Sequence, residues 1–540
     1  MTVPRTSPAG LLSEAFTATR FLVRLPRFLR RPLDRVEAER TLRRRLVRRE
    51  ADFLDLTRRA VYEHRESPYR PLLRAAGCEY GDLVHLVAED GLETGLRTLA
   101  RQGVYLTLEE LRGRRPVTRG QTEVAVNPGC LGNPLVWPDF SIRSSGSRGT
   151  STGLGLNLSF VRELAVNYGL AIDARGGRSW HHAIWGVPGG AALNQVLRFA
   201  AFGVPPVRWF VQVDAERAGL PARYAWSARA LVWGGRLAGV ALPAPIYASA
   251  EDPAPIVEWL ASVLGAGQVP HLFAFPSAAV RLCRAARRAG VDLHGAQLTV
   301  GGEPVTAARL NEITRSGAMP VAHYGSIETS TIGYGCLARA APDELHLFHD
   351  VTAAVQTPDV PGVQGGTLLM TSLRATAPLI LLNASLGDQA IMGPRPCGCP
   401  LEELGWTTHL HAVGSDQKLT TGGMAFLDAD LLRVLEEVLP ARLGGGPVDY
   451  QLLEEETEEG WPHLRLLIHP RVGPLDPTFV AEVFFTAIAR GEGAARVMSL
   501  AWQDGKVLQV ERRVPESRGG KIQHLRARPS ATAPERSPAR

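Results

Sequence analysis

The chain has 540 residues, 45% apolar and 21% charged, with a formal net charge of +6. That length suggests two to four domains with cores of their own, and the balance excludes a disordered or supercharged chain. With no run of about 18 consecutive apolar residues and six scattered cysteines, neither a spanning helix nor a disulfide framework is expected, and a reduced, cytoplasmic protein is.

The opening MTVPRTSPAGLLSEAFTATR has no long apolar stretch and no small-residue cleavage site, so it does not read as a secretion signal. Residues 20–49 hold twelve arginines against Asp34, Glu37 and Glu39, a local balance of +9 that leaves the rest of the chain slightly acidic. Leu42, Leu46, Phe53 and Leu56 recur at helical spacing after Pro32 and predict an amphipathic helix with an arginine-rich outer face. It reads first as a solvated helix on the main body and second as a peripheral contact with an anionic membrane. No nucleic-acid partner is expected, because the arginines are not interleaved with stacking aromatics.

Residues 1–115 read as a helical, arginine-rich segment ending at the turn RGRRPVTRG. From 116 to 412, apolar runs alternate with helical stretches (HLFAFPSAAVRLCRAARRAG, QLTVGGEP, MPVAHYGSIE), the pattern of an α/β body. Residues 413–526 form a smaller α+β unit with the helix LLRVLEEVLPARL and the strands HLRLLIHP and KVLQVERRV. The Pro/Ser/Ala/Arg tail 527–540 is expected to be disordered.

Residues 144–153, SSGSRGTSTG, are nine-tenths Ser, Thr or Gly. They make either a flexible loop or one that turns backbone N–H groups and hydroxyls onto a polyphosphate. It is not the Walker loop, for no GxxxxGK[ST] occurs. Within it Gly149 to Gly153 fits the GxSxG of serine hydrolases, with Ser151 as nucleophile, yet the preceding residues are too polar for the buried strand an elbow needs.

Gly301-Gly302-Glu303-Pro304 after QLTV, and His323 to Glu328 after MPVA, are expected as turns at the carboxyl ends of parallel strands, where open α/β sheets bind ligands. Glu328 there can hold a hard cation. Asp388, after the apolar run PLILLN, is expected at another strand end, as a turn residue or an acceptor for a diol. Only three of the 60 basic residues are lysines: Lys418, Lys506 and Lys521. Lys506 sits in an ordinary turn sequence. Lys418 and Lys521 lie in glycine-rich segments, where a compact ammonium can neutralise a carboxylate and a phosphate together.

Taken in order, SSGSRGTSTG, GGEPV, HYGSIE, LGDQA, the segment from Gly414 and RGGKIQ resemble the adenylate-forming enzymes, the acyl-CoA synthetase superfamily. Within it the chain is most similar to the phenylacetate-CoA ligase family, which includes relatives resembling bioluminescence acyl-protein synthetases. The resemblance covers roughly residues 60–525. It implies a large amino-terminal adenylate-forming domain and a small mobile carboxyl-terminal domain acting as a lid.

It also implies that Ser144, Ser145, Gly146, Ser147, Gly149 and Thr150 wrap phosphate, and that Gly302, Glu303 and Pro304 border the adenine. Tyr324 would stack on the adenine, with Gly325 and Ser326 beside the α-phosphate. Asp388 would take the ribose hydroxyls, Glu328 would engage Mg2+, and Lys521 would be catalytic. The cofactors implied are ATP and Mg2+. The partners are a carboxylic acid and a thiol acceptor, either coenzyme A or a carrier or protein thiol.

Two departures, Arg148 in the loop and Ser415 where the family's hinge has arginine, keep a nucleotide-binding homologue without ligase activity as an alternative beside the serine hydrolase. Trp180, His181, His182 and Trp185 are either an acyl-pocket lining or a buried aromatic cluster. Cys397 and Cys399 are half of a candidate structural zinc site, with Cys336, His346, His409 and His411 as completing ligands.

Overall fold

Phe21, Leu25 and Leu29 recur every fourth residue and form the buried face of helix α1 (Pro8–Leu29). The computed structural model describes residues 8–143, 153–214, 223–363, 365–415, 418–421, 424–427, 431, 434–446, 449–456, 462–488, 502, 507–515, 517–518, 521–522 and 525–527. The amphipathic helix expected after Pro32 is two helices, α2 (Arg35–Val47) and α3 (Arg49–Thr57), which meet at Arg48. Asp34 caps α2 by accepting from the Glu37 amide at 2.7 Å. Leu42, Phe53 and Leu56 are buried as their spacing predicts.

The arginines of this region are not all solvated. The fully buried Asp139 carboxylate accepts from Arg20 at 2.7 Å, from Arg24 at 2.8 and 2.7 Å, and from the Leu158 amide at 2.8 Å. Arg45 points inward, donating to the Glu163 carbonyl at 3.0 Å and lying 3.6 Å from Asp350.

Helices α4 (Tyr69–Ala75), α5 (Tyr80–Asp90), α6 (Leu92–Arg101) and α7 (Leu108–Leu111) complete the helical amino-terminal region. Two hairpins follow, β1–β2 (Val117–Arg119, Thr122–Val124) and β3–β4 (Phe140–Arg143, Gly153–Leu156).

The body is a twelve-stranded sheet. Its strands are β5 (His181–Gly186), β6 (Arg208–Val211), β7 (Pro245–Tyr247), β8 (Pro270–Ala274), β9 (Gln297–Gly301) and β10 (Met319–Ser326), then β11 (Ser330–Gly335), β12 (Leu345–Leu347), β13 (Thr352–Val355), β14 (Thr367–Ser372), β15 (Ala384–Pro394) and β16 (Thr408–Gly414). The spatial order is β7-β6-β5-β8-β9-β10-β11-β12-β16-β15-β14-β13. All pairs from β7 to β10 are parallel and all later ones antiparallel.

Helices α8 (Leu158–Asp173), α9 (Gly190–Ala201), α10 (Arg223–Ala238), α11 (Ala254–Gly265), α12 (Pro276–Arg288) and α13 (Ala307–Thr314) are interleaved with the parallel strands, giving the α/β class expected from the alternation. From β5 the order runs outward through β6 and β7, then resumes on the other side of β5 with β8. Such a reversal is a topological switch point, and ligands of open α/β sheets bind at the carboxyl ends of the strands there.

Beyond β16 lie the hairpin β17–β18 (Lys418–Thr421, Met424–Leu427) and a four-stranded sheet. That sheet has the order β21-β20-β19-β24, with β19 at Tyr450–Glu456, β20 at Pro462–Ile468, β21 at Leu508–Arg512 and β24 at Leu525–Ala527. Two short strands, β22 (Ser517–Arg518) and β23 (Lys521–Ile522), pair with each other. Leu452, Leu464, Leu466, Phe484 and Trp502 form this unit's core, against which Val187 of the body packs. Among the described residues no helix is long and apolar enough to cross a membrane.

One buried polar chain crosses the parallel half. His182 meets the Gly177 carbonyl through Nε2 (2.9 Å) and His271 Nδ1 through Nδ1 (2.9 Å), and His271 Nε2 meets Thr299 Oγ1 (2.8 Å). Thr299 meets Tyr334, which also accepts from Arg175 at 2.6 Å. His182 and Trp185 are buried, while Trp180 and His181 are half-buried. Trp180 lies over His271 with ring centroids 5.6 Å apart. Burial lowers the His182 pKa to about 4 and holds His271 well below its ordinary value.

Both rings are therefore neutral in the fold and protonate readily only when unfolded. Their contribution is present above the unfolded pKa of about 6.5 and is lost as the pH falls toward 4. His182 alone should take away about 2 kcal/mol between pH 8 and pH 5. The carboxylates Glu110 and Glu312, whose pKa values are lowered, hold their contributions down to about pH 4.5. Denaturant titrations across this range should show a steady loss of stability from pH 7 to 5; a flat profile would contradict the neutral pair.

Candidate functional site

The carboxyl end of β9 passes into Gly302, whose φ is 86°. Glu303 does not face an open cleft. Its carboxylate accepts from the Ser277 amide (2.9 Å) and hydroxyl (2.8 Å) at the start of α12, and from Arg309 at 3.2 Å. Arg309 also donates to the Pro304 carbonyl at 2.8 Å. The Glu303 side chain thus staples β9 to α12, and the backbone of 302–304 is what remains to border a ligand.

The second turn differs from expectation. His323 to Ser326 are not a loop: β10 runs through them because β11 folds back antiparallel, pairing His323 with Tyr334 and Ser326 with Ser330. The reversal falls on residues 327–329. Ser326 holds it, accepting from the Thr329 amide at 3.1 Å and meeting its hydroxyl at 2.9 Å. A Cβ on Gly325 would lie 2.4 Å from the Ser330 carbonyl oxygen, so that position requires glycine.

Asp388 also sits elsewhere than expected. It lies inside β15 rather than at a strand end, next to Gly387 at φ 82° and where the pairing with β14 slips in register. The run PLILLN lies outside the named strands. Asp388 nonetheless reaches β10: Tyr324 donates its hydroxyl to Asp388 Oδ2 at 2.8 Å. Burial, then the Asp388 charge, pushes the Tyr324 phenol well above its ordinary pKa, so it remains a donor. The residues expected at adenine and ribose are therefore in direct contact, although β11, β12 and β16 separate their strands in the sheet.

Glu328, in the middle of the reversal, is paired with Arg112, the residue following α7, at 2.5 Å. No spacing in the sequence links those two positions. As a hard oxygen donor Glu328 suits Mg2+, and Arg112 would have to move aside to free it. Ser415 donates to the Gly387 carbonyl at 2.5 Å, fastening the segment after β16 beside Asp388.

Ser144, Ser145, Gly146, Ser147, Arg148, Gly149, Thr150 and Ser151 lie outside the described residues, as does Lys506. In the chain, residues 144–152 stand between β3 and β4, so the described elements next to Ser151 on both sides are strands. A nucleophile elbow needs a helix directly after the serine. For Lys418 and Lys521 the backbone is described, in β17 and β23.

Away from this cleft, Cys336, His346, Cys397 and Cys399 present four ligand atoms all within 4.8 Å of one another. His346 Nε2 lies 3.2 Å from Cys399 Sγ and 3.7 Å from Cys397 Sγ. In a tetrahedral zinc site such ligand pairs stand roughly 3.5–3.8 Å apart. His346 Nδ1 meets the Trp406 carbonyl at 2.6 Å, which turns Nε2 toward the thiols. Glu402 accepts from the Cys397 and Gly398 amides at 2.8 and 2.6 Å, shaping the turn between the cysteines. His409 packs against His346, with ring centroids 4.1 Å apart and planes tilted by 52°, but faces Glu344 at 2.8 Å, and His411 belongs to neither cluster. Of the four completing ligands considered, the structure brings Cys336 and His346 to the cysteine pair.

No protein-family model matches the chain, and no curated protein matches it. Among solved structures it is similar to a 2-hydroxyisobutyryl-CoA ligase in complex with 2-HIB-AMP and CoA, with a TM-score of 0.54 and 17% identity over 92% of this chain and 91% of that one. Likeness to the amide bond synthetase Mcba of Marinactinospora thermotolerans is weaker, with a TM-score of 0.40 and 13% identity over 84% and 92%. An anthranilate CoA ligase in complex with anthranoyl-AMP gives 0.33 and 12% over 71% and 65%. At 17% identity the first likeness is one of architecture: a twelve-stranded mixed sheet preceded by helices, which is the adenylate-forming ligase fold.

Proposed function

We propose that this protein uses ATP to activate a carboxylic acid as an acyl-adenylate and then passes the acyl group to a thiol, on coenzyme A or on a protein. The observation that carries this reading is the meeting of Tyr324, Asp388 and the Glu328 turn at the carboxyl end of β10, in a fold shared with a ligase whose structure holds an acyl-adenylate and CoA.

In this reading a ribose diol takes the place of the Tyr324 hydroxyl on Asp388, which frees the ring to stack on adenine. The loop 144–150 offers amides and hydroxyls to the phosphates, and Glu328, released from Arg112, becomes the site for Mg2+. The substrate carboxylate attacks the α-phosphorus, the bond to the bridging oxygen of pyrophosphate breaks, and acyl-AMP remains. Lys521 neutralises the carboxylate and the α-phosphate while these bonds change. A thiolate then attacks the acyl carbon and AMP departs with the electron pair. Such steps depend on alignment and charge neutralisation more than on covalent help from the protein.

Acid-dependent exchange of labelled pyrophosphate into ATP tests the reading. Lys521→Ala should lower exchange by about a hundredfold or more, and Asp388→Ala should raise the KM for ATP by about tenfold. ATP binding without exchange across a broad panel of acids would favour a nucleotide-binding protein without ligase activity. Ester hydrolysis without ATP that disappears in Ser151→Ala would favour the hydrolase.

The four-donor cluster supports a structural zinc ion, held by Cys336, His346, Cys397 and Cys399 and joining β12 to the segments that follow β11 and β15. Metal analysis of the purified protein should find about one zinc per chain. Cys399→Ser should lose it and lower the Tm, whereas His411→Ala should keep both. A metal-free protein of unchanged Tm would remove zinc from the account.

A further inference from the structure

Seven of the seventeen exposed large apolar side chains among the described residues gather in one place. All three exposed tryptophans among the described residues, Trp137, Trp226 and Trp233, lie on or beside the contacting helices α1 and α10. On α10, Trp226 and Trp233 stand seven residues apart on one face, 68% and 64% exposed, with Leu237 one turn further on. The opposite face is buried through Ala228, Leu231, Gly234 and Gly235. Gly234 is pressed against α1 so closely that a Cβ there would lie 2.3 Å from Leu25. On α1, Phe16, Leu22 and Val23 are exposed, and the Phe16 ring meets Trp137 edge-on at 6.4 Å.

The charge on these helices is mainly positive, with Arg20, Arg24 and Arg27 against Glu14 on α1. α10 contains three arginines and no acid. Arg229 and Arg236 share the outward face with the tryptophans, and Arg27 and Arg30 are exposed at the end of α1 and just beyond it. Arg30 donates to the Leu237 carbonyl at 2.5 Å, tying the two helix ends together. Below those ends opens a groove of about 560 Å³ lined by Leu29, Pro32, Ala200, Pro206, Leu242 and Pro243.

We propose that the paired outer faces of α1 and α10 dock on an anionic lipid surface. Amphipathic rings with an apolar body and a polar tip settle at the boundary between headgroups and acyl chains. Guanidinium groups on the same face pair with lipid phosphates and carboxylates, and the groove offers apolar room beside them. A second copy of the chain is a poor occupant, since it would set arginines against arginines. The lipid-facing surface is not the whole arginine-rich segment 20–49: Arg20 and Arg24 are taken by Asp139 and Arg45 points inward.

Cosedimentation of the full-length protein with vesicles tests this, using phosphatidylcholine alone and phosphatidylcholine mixed with phosphatidylserine. The expected result is binding to the mixed vesicles only, weakened by salt and accompanied by a blue shift of tryptophan emission. A Trp226→Ser, Trp233→Ser double variant should bind about tenfold more weakly, and so should Arg27→Glu with Arg236→Glu. Both should keep the wild-type Tm, because these side chains are exposed. Equal binding of wild type and the tryptophan variant would overturn the proposal. So would a wild-type dimer that the tryptophan substitutions convert to monomer, or retention on an acidic polypeptide with none on vesicles.

Discussion

The candidate cleft depends on how closely three strands approach. Gly301 ends β9 where a Cβ would lie 2.3 Å from the His323 carbonyl oxygen, and Gly325 sits in β10 where one would lie 2.4 Å from that of Ser330. With no side chain at either point, the last parallel strand is gripped on both sides and the sheet changes from parallel to antiparallel across it. The reversal carrying Glu328 lies at the carboxyl end of the parallel half for that reason. The antiparallel half then returns to bring Asp388 against Tyr324.

Arginine serves the interior of this protein as much as its surface. Guanidinium groups with fixed, planar donors sit on buried carboxylates: Arg20 and Arg24 on Asp139, Arg309 on Glu303, Arg395 on Glu344 at 2.6 and 2.9 Å. Breaking such a pair leaves a buried charge without its counterpart, which costs several kcal/mol. The local charge of +9 in residues 20–49 therefore overstates what the solvent meets.

Much of this was legible in the sequence because it is local. The runs QLTV and MPVA, each followed by a glycine motif, mark β9 and β10. What escaped is non-local. HYGS reads as a turn until β11 is known to pair with it, and Asp388 reads as a strand end until β15 is seen running through it. Arg112 on Glu328 spans 216 residues with no shared motif. The choice of His346 over His409 at the cysteine pair follows from which ring nitrogen the Trp406 carbonyl holds, a contact across 60 residues.

The amino-terminal helices are held by partners far along the chain. α1 waits for Asp139, 115 and 119 residues downstream of its arginines. Arg49 waits for the His349 carbonyl across 300 residues, and Asp52 for Arg374 across 322. A ribosome delivers these helices long before their partners exist, so they emerge with Phe21, Leu25 and Phe53 uncovered. Contacts of such range form late and make folding slow. Helices made early are thus among the last to be secured, and during that interval their apolar faces depend on chaperones or on one another for shelter.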